Sequence, residues 1–400
     1  MHRSAWFLPV AAVALALSGV LAAACGSFSS QVAPSGDAMD PMGEGSVRPD
    51  GAPIPACDKS ALNFDRNHCG ACNHDCLGGD CKMGNCQPLV VGRSPGRILH
   101  LAVNATHVVW MSAAEDYASA ELRACDKTKF CSGEALVIKG GGLAGTVAGD
   151  GTSAYATFVF GAHAFMQIDH ASTTPIAALF YHPAIERIQV RTDAVYYLGF
   201  GEQQDAGGTP IVFSWDGKGN SDQRVVSYPG TNTNIRGFVV TPDWVYFGAN
   251  NWTYLEACRL TDCTKATLGA VDTQSYSLSL ETDDRSVFWT ASDGLLRKLP
   301  AGKNEITTLE HLKNARALAV GRDVLFVGTT EGNLFSCDPA TPAGCDEPKL
   351  LVNDPGFKEE AQAPSGGYTR VIAYDKTAVY WAAMDETDAG GQWRVMKLAR

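Results

Sequence analysis

Leu278-Ser-Leu-Glu-Thr-Asp-Asp-Arg-Ser-Val-Phe-Trp289 decides how the chain is read. A short apolar run is followed by an Asp-rich turn and then by an apolar-aromatic run. Runs of this length and composition, bounded by turn residues, suit two neighbouring antiparallel strands. The unit recurs on both sides. Upstream it stands at Leu101–Trp110, Gly145–Tyr155, Ile188–Tyr197 and Phe238–Phe247, and downstream at Leu318–Phe326 and Val371–Trp381. Anchored on Val109, Tyr155, Tyr196, Tyr246, Phe288, Phe326 and Tyr380, successive copies are 38 to 54 residues apart.

A period near forty residues built from short strands predicts the blades of a β-propeller. Each unit reads as four strands. In the first they fall near Leu101–Val103, Val108–Met111, Glu121–Ala124 and Ala135–Ile138. No stretch carries sustained helical periodicity. The seventh unit reaches Arg400 after its third strand, Trp393 to Leu398, and Pro88-Leu-Val-Val-Gly92 is left without a partner. Pairing the two completes the last blade and leaves no open sheet edge. The expectation is an all-β chain: a propeller of about seven four-stranded blades over 88–400, with six or eight as alternatives because the second and third units diverge.

The residues before the propeller divide into three parts. His2 and Arg3 precede an apolar run from Ala5 to Ala24 that ends Leu21-Ala-Ala-Ala-Cys25. Short positive region, apolar stretch and small residues describe a secretory signal peptide over 1–25. The closing residues resemble the lipobox of bacterial lipoproteins, although Leu21 stands one position further from the cysteine than that family places it. The resemblance implies that Cys25 is acylated and becomes the new N-terminus. Cleavage after an Ala-x-Ala site, or retention as an anchor helix, are the alternatives. Residues 26–56 are rich in Gly, Ser, Pro and Asp and bury too little to order themselves, so they read as a tether.

The 13 cysteines, less Cys25, leave an even number. Three local pairs, Cys125 with Cys131, Cys258 with Cys263 and Cys337 with Cys345, each bracket a short polar segment between strand-like runs. They suit bridges across hairpin loops in an exported protein. Cys57, Cys69, Cys72, Cys76, Cys81 and Cys86 cluster in a segment, 57–87, with few apolar side chains. This pattern suits a disulfide-stapled miniature of open connectivity. A zinc site at Cys69 and Cys72 with His68 and His74 is the alternative.

Asn67-His-Cys69-Gly-Ala-Cys72-Asn-His-Asp-Cys76, followed by Gly79-Asp-Cys81, resembles the cysteine-rich modules related to plant stigma-specific proteins, which recur in secreted proteins of predatory soil bacteria. Asn73 departs from the glycine of that pattern. The resemblance covers 57–88 and implies a module that often precedes a propeller. Val287-Phe-Trp-Thr-Ala-Ser-Asp-Gly is similar to propellers with Tyr-Trp-Thr-Asp repeats, without the full tetrapeptide. That similarity implies the fold and no particular partner.

The net charge of −11, with scattered basic residues, excludes a nucleic-acid partner and a polybasic lipid contact. Membrane contact is expected through the lipid anchor only. The loops joining second and third strands gather Glu115, Asp116, Asp205, Asp293, Asp385 and Asp388 with Trp252. They offer a candidate ligand face for a cation, a basic partner or a carbohydrate, or else a solvated rim. Asp216 to Asp222 spaces oxygens like a calcium loop, but Lys218 occupies a ligand position and no glutamate follows, so it reads as a turn. His163, His170 and His182 read as ordinary polar residues. No nucleophile elbow or zinc-protease motif is present, and no cofactor or metal is expected. The sequence therefore points to an exported lipoprotein, at the outer membrane or cell surface, that binds a protein or glycan of the cell envelope without catalysis. The alternative is a secreted propeller lyase or glycan hydrolase with acidic residues near the central channel.

Overall fold

The computed structural model describes residues 60–400, apart from 114–118, 132–135, 142–143, 152, 160–162, 169–184, 201–209, 217–222, 229–234, 250–254, 264–276, 292, 342–344, 358–369 and 386–390. The described chain is all-β. It opens with a hairpin of β1 (Cys81–Lys82) and β2 (Asn85–Cys86), pairing Cys81 with Cys86. The two-residue turn, Met83 and Gly84, has φ of 51° and 75°. Positive φ at both central positions is what a tight hairpin turn needs to match strand twist.

β3 (Leu89–Ser94) follows and leads into the first blade: β4 (Arg97–Val103), β5 (His107–Ala113), β6 (Ser119–Asp126) and β7 (Leu136–Gly141). The second blade shows β8 (Ala144–Gly149), β9 (Ala154–Val159) and β10 (His163–Ile168). The third has β11 (Ile185–Val190), β12 (Val195–Phe200), β13 (Pro210–Trp215) and β14 (Gln223–Ser227). The fourth shows β15 (Ile235–Val240), β16 (Trp244–Ala249) and β17 (Leu255–Arg259). The fifth has β18 (Ser277–Thr282), β19 (Ser286–Ala291), β20 (Leu296–Pro300) and β21 (Thr307–Thr308). The sixth has β22 (Ala315–Val320), β23 (Leu325–Thr329), β24 (Asn333–Cys337) and β25 (Lys349–Asn353). The seventh has β26 (Ile372–Tyr374), β27 (Ala378–Asp385) and β28 (Gln392–Ala399).

The seventh sheet runs β26-β27-β28-β3, so β3 supplies its outer strand. Leu89 pairs with Lys397 and Ser94 with Trp393. Seven sheets of three or four described strands result. Their inner strands touch in sequence, β4 to β8, β11, β15, β18, β22, β26 and back to β4, which closes the ring. In six of the inner strands the register with the second strand slips by one residue near the start. Such bulges bend and twist a strand. Here they let the inner strands converge on the axis.

The repeat's polar turns have a shared physical reason. Asn104 Oδ1 accepts the amides of Thr106 and His107. Asp283 Oδ1 accepts those of Arg285 and Ser286, and Asp375 Oδ1 those of Thr377 and Ala378. Each side chain closes the turn between first and second strands. All seven anchor residues of the repeat are buried between blades.

Cys125–Cys131, Cys258–Cys263 and Cys337–Cys345 are disulfides, each starting from a third strand. In the small module Cys69 pairs with Cys81 and Cys76 with Cys86, and Cys72 is disulfide-bonded too. Lys397 Nζ donates to the carbonyls of Leu77, at 3.2 Å, and Lys127, at 3.0 Å, tying the module to the seventh and first blades. No helix among the described residues is long and apolar enough to cross a membrane.

Candidate functional site

Glu115, Asp116, Asp205, Trp252 and Asp388 lie outside the described residues. Asp293 stands between second and third strands, and Asp385 is the last residue of the seventh blade's second strand. Asp293 accepts from the Leu295 amide, and Arg297 donates to both of its carboxylate oxygens, at 3.1 and 2.5 Å. Asp385 is buried, 3.6 Å from Arg93 and 3.8 Å from Arg394. Arg394 also donates to Asp354 at 2.8 Å, and the Trp381 indole donates to the same carboxylate at 3.0 Å. Arg93, Asp385, Arg394 and Asp354 thus form a chain of alternating charge. These acids neutralise local guanidiniums and leave little charge to attract a free cation.

The axis of the ring carries a different arrangement. Glu281 projects from β18. Arg370, just before β26, gives it Nε at 2.8 Å and Nη2 at 2.6 and 2.5 Å. Arg187 of β11 reaches the same carboxylate at 3.2 Å and also donates to the Leu280 carbonyl. Each arginine skips an intervening blade, so the three side chains bridge the bore from the third blade through the fifth to the seventh. Beside them His100 of β4 pairs, strand to strand, with Arg370. Burial, then the Arg370 and Arg187 guanidiniums, push its pKa down to about 3. The imidazole is therefore neutral across the physiological range, and its Nδ1 is shut off from solvent with no hydrogen-bond partner.

A cavity of about 180 Å³ adjoins this cluster, with Arg370, Glu281, Asp150, Gln189, Thr282 and Tyr374 in its wall. Three of those polar side chains are already used. Gln189 exchanges two bonds with the Val240 backbone. Thr282 donates to the Ser286 carbonyl, and Tyr374 to the Val320 carbonyl. Burial raises the Tyr374 hydroxyl to about 12, with the Glu281 charge adding to the effect. The Gln189 and Tyr374 bonds join neighbouring blades across their inner edges, the Thr282 bond closes a turn within the fifth blade, and Arg370, Glu281 and Asp150 are the charged groups of the wall.

Sequence reasoning named neither the arginines nor Glu281. The usable signal was alignment of the repeats. Ala102, Ala148, Val239, Ala319 and Ala373 occupy the inner-strand position where the third and fifth units carry Gln189 and Glu281.

The remaining candidates resolve simply. The sulfurs of Cys69, Cys76 and Cys86 lie within 4.8 Å of one another, yet all three are in disulfides and offer no thiolate to zinc. His68 accepts the Asn73 amide and His74 meets the Cys69 carbonyl, so both rings serve the module's own turns. His163 begins β10, while Cys25, Cys57, His170 and His182 lie outside the described residues.

No protein-family model matches the chain, and no curated protein does. Among solved structures, the computationally designed Ika8 protein aligns with 76% of this chain and 98% of its own, at 16% identity and a TM-score of 0.48. The ring of sheets itself defines the class: a β-propeller, with a cystine module on its first-to-last blade junction.

Proposed function

We propose that this is a lipid-anchored propeller of the cell envelope that binds a ligand or protein partner and does not transform it. The observation that carries this reading is the bridged bore. Arg187, Glu281 and Arg370 satisfy one another across the axis, where an enzyme of this fold would present a general acid and base. The described acids of the predicted ligand face are likewise held by arginines.

Disulfide bonding supports an oxidising compartment, as an exported protein meets. The signal-like segment, the lipobox-like run at Cys25 and the polar tether support anchoring. The module's likeness to stigma-specific proteins supports a secreted envelope protein.

Two measurements test the reading. Cys25→Ala should move the protein from the membrane fraction to the soluble one. Crosslinking at the cell surface should capture a protein or glycan partner, with no turnover of envelope glycans by the purified protein. Glycan cleavage that survives in a chain with an intact signal would identify the secreted enzyme instead.

A further inference from the structure

Among the described residues four large apolar side chains are exposed: Phe64 at 73%, Met83 at 84%, Phe130 at 55% and Leu350 at 51%. Such residues need no explanation when scattered singly, but grouped they mark a binding surface. Three of the four are grouped. Met83 and Gly84 make the turn of the module's hairpin, and the Gly84 amide donates to the carbonyl of Asn63, the neighbour of Phe64. Gly84 and Leu350 of β25 both line a cleft of about 540 Å³ between the module and the last two blades.

The cleft is built from both parts of the molecule. Phe326, Val379 and Leu398 come from the sixth and seventh blades, and Gly84 and its neighbours from the module. Its charge is one-sided: Lys349 and Arg400 line it, and no aspartate or glutamate does. Arg400 donates to the Asp375 carbonyl at 3.0 Å and lies 5.4 Å from the centre of the Phe326 ring, so its position is fixed by contacts that are not with an acid. In a chain of net charge −11, a local excess of cations selects an acidic partner. β25 is also the outer strand of its sheet, and its far edge offers backbone groups that an extended chain can pair. A register shift between Val352 and Leu350 confines such pairing to a short stretch.

We infer that this cleft, with the hairpin tip beside it, is the docking surface for a short extended segment of a protein partner that carries apolar and acidic side chains. The inference rests on the binding reading above and names the surface and the chemistry it takes. Apolar side chains of the segment cover Leu350 and the hairpin tip, and its carboxylates meet Lys349 and Arg400. A free small acid would use the two cations and leave Phe64 and Met83 bare, since neither lines the cleft. A cleft of this size takes a few side chains of one chain and not a whole folded face. The module also gains a role, because without it the cleft loses one wall and two of its three exposed apolar groups.

The test uses the full-length protein in detergent and three fluorescent eight-residue probes: alternating Leu and Glu, alternating Leu and Lys, and alternating Ser and Glu. Anisotropy titration should show saturable binding of the Leu-Glu probe, about tenfold or more tighter than either of the others. Lys349→Glu should weaken that probe about tenfold and strengthen the Leu-Lys probe, and Leu350→Asp should weaken the Leu-Glu probe at least as much. Both positions are exposed, so both variants should keep the parent's melting midpoint. Equal binding of the acidic and basic probes, acidic binding that neither substitution changes, or no binding of any probe would overturn the inference. Saturable binding of octanoate that depends on Lys349, with no peptide bound, would overturn it in favour of a small acid. A crosslinked partner that survives both substitutions would sink this surface and keep the binding reading. Cleavage of a bound probe would keep the surface and sink the non-catalytic reading.

Discussion

The junction of the first, sixth and seventh blades and the junction of the first and second are built differently. Around the former, Trp110, Phe326, Phe357, Tyr380, Trp381 and Trp393 pack into one cluster with Val, Ile and Leu side chains. Between the first and second blades half of the described buried set is alanine, Ala102, Ala120, Ala154 and Ala156, and the rest is Val109, Met111, Leu122 and Val147. Aromatic side chains bury far more apolar surface than alanines do. The contrast falls where the topology demands it. The seam joins strands from the two ends of the propeller, and closing that loop costs chain entropy that consecutive blades do not incur.

The sharpest way to break this comparison is Trp381→Ala. It empties a fully buried site and strips Asp354 of the indole donor, so it should cost about 3–5 kcal/mol in denaturant unfolding. Gly328→Ala comes next. Its new Cβ would lie 2.0 Å from the Phe357 ring, and overpacking at such a contact costs about 1–3 kcal/mol. Val147→Ala, in the alanine-rich junction, removes two methyl groups and should cost about 1.5 kcal/mol. A loss there equal to that of Trp381→Ala would erase the distinction.

The smallest effect concerns pH. Burial alone would raise the Asp375 carboxyl, but the bonds from Lys127 and Thr377 outweigh it and hold it below the ordinary value. Its folded pKa is depressed, so the ion pair with Lys127 contributes above the unfolded value of about 3.9. That contribution is lost as pH falls through the lower folded value. Asp375→Asn should therefore be less stable than the parent at neutral pH and show a shallower decline below about pH 4. Parallel melts of the two proteins through that range check it.

Much of the architecture was legible because the repeat is a local pattern. The apolar-turn-aromatic unit shows its two innermost strands directly, and Pro88 to Gly92 was an orphan strand whose partner could be found by counting. The cysteine pairs around third strands were equally plain, since each lies within one hairpin. The bore was not legible. Arg187, Glu281 and Arg370 stand far apart in sequence, and only ring closure brings them together. Asp354 was hidden for the same reason: its partners Trp381 and Arg394 belong to the next blade. The predicted ligand face counted Asp293 and Asp385 without the arginines that pair with them.

The pairing of β3 with β28 also has a mechanical consequence. Tension on the chain upstream of the module meets Cys69–Cys81 and Cys76–Cys86 first, and those covalent bonds carry it past most of the module's own turns. The load then reaches Leu89, whose pairing with Lys397 is the first step of the seam to bear it. Lys397 is also the residue that grips Leu77 and Lys127. A pull on the chain ahead of the module thus concentrates on a single rivet at the weld between the two ends of the ring.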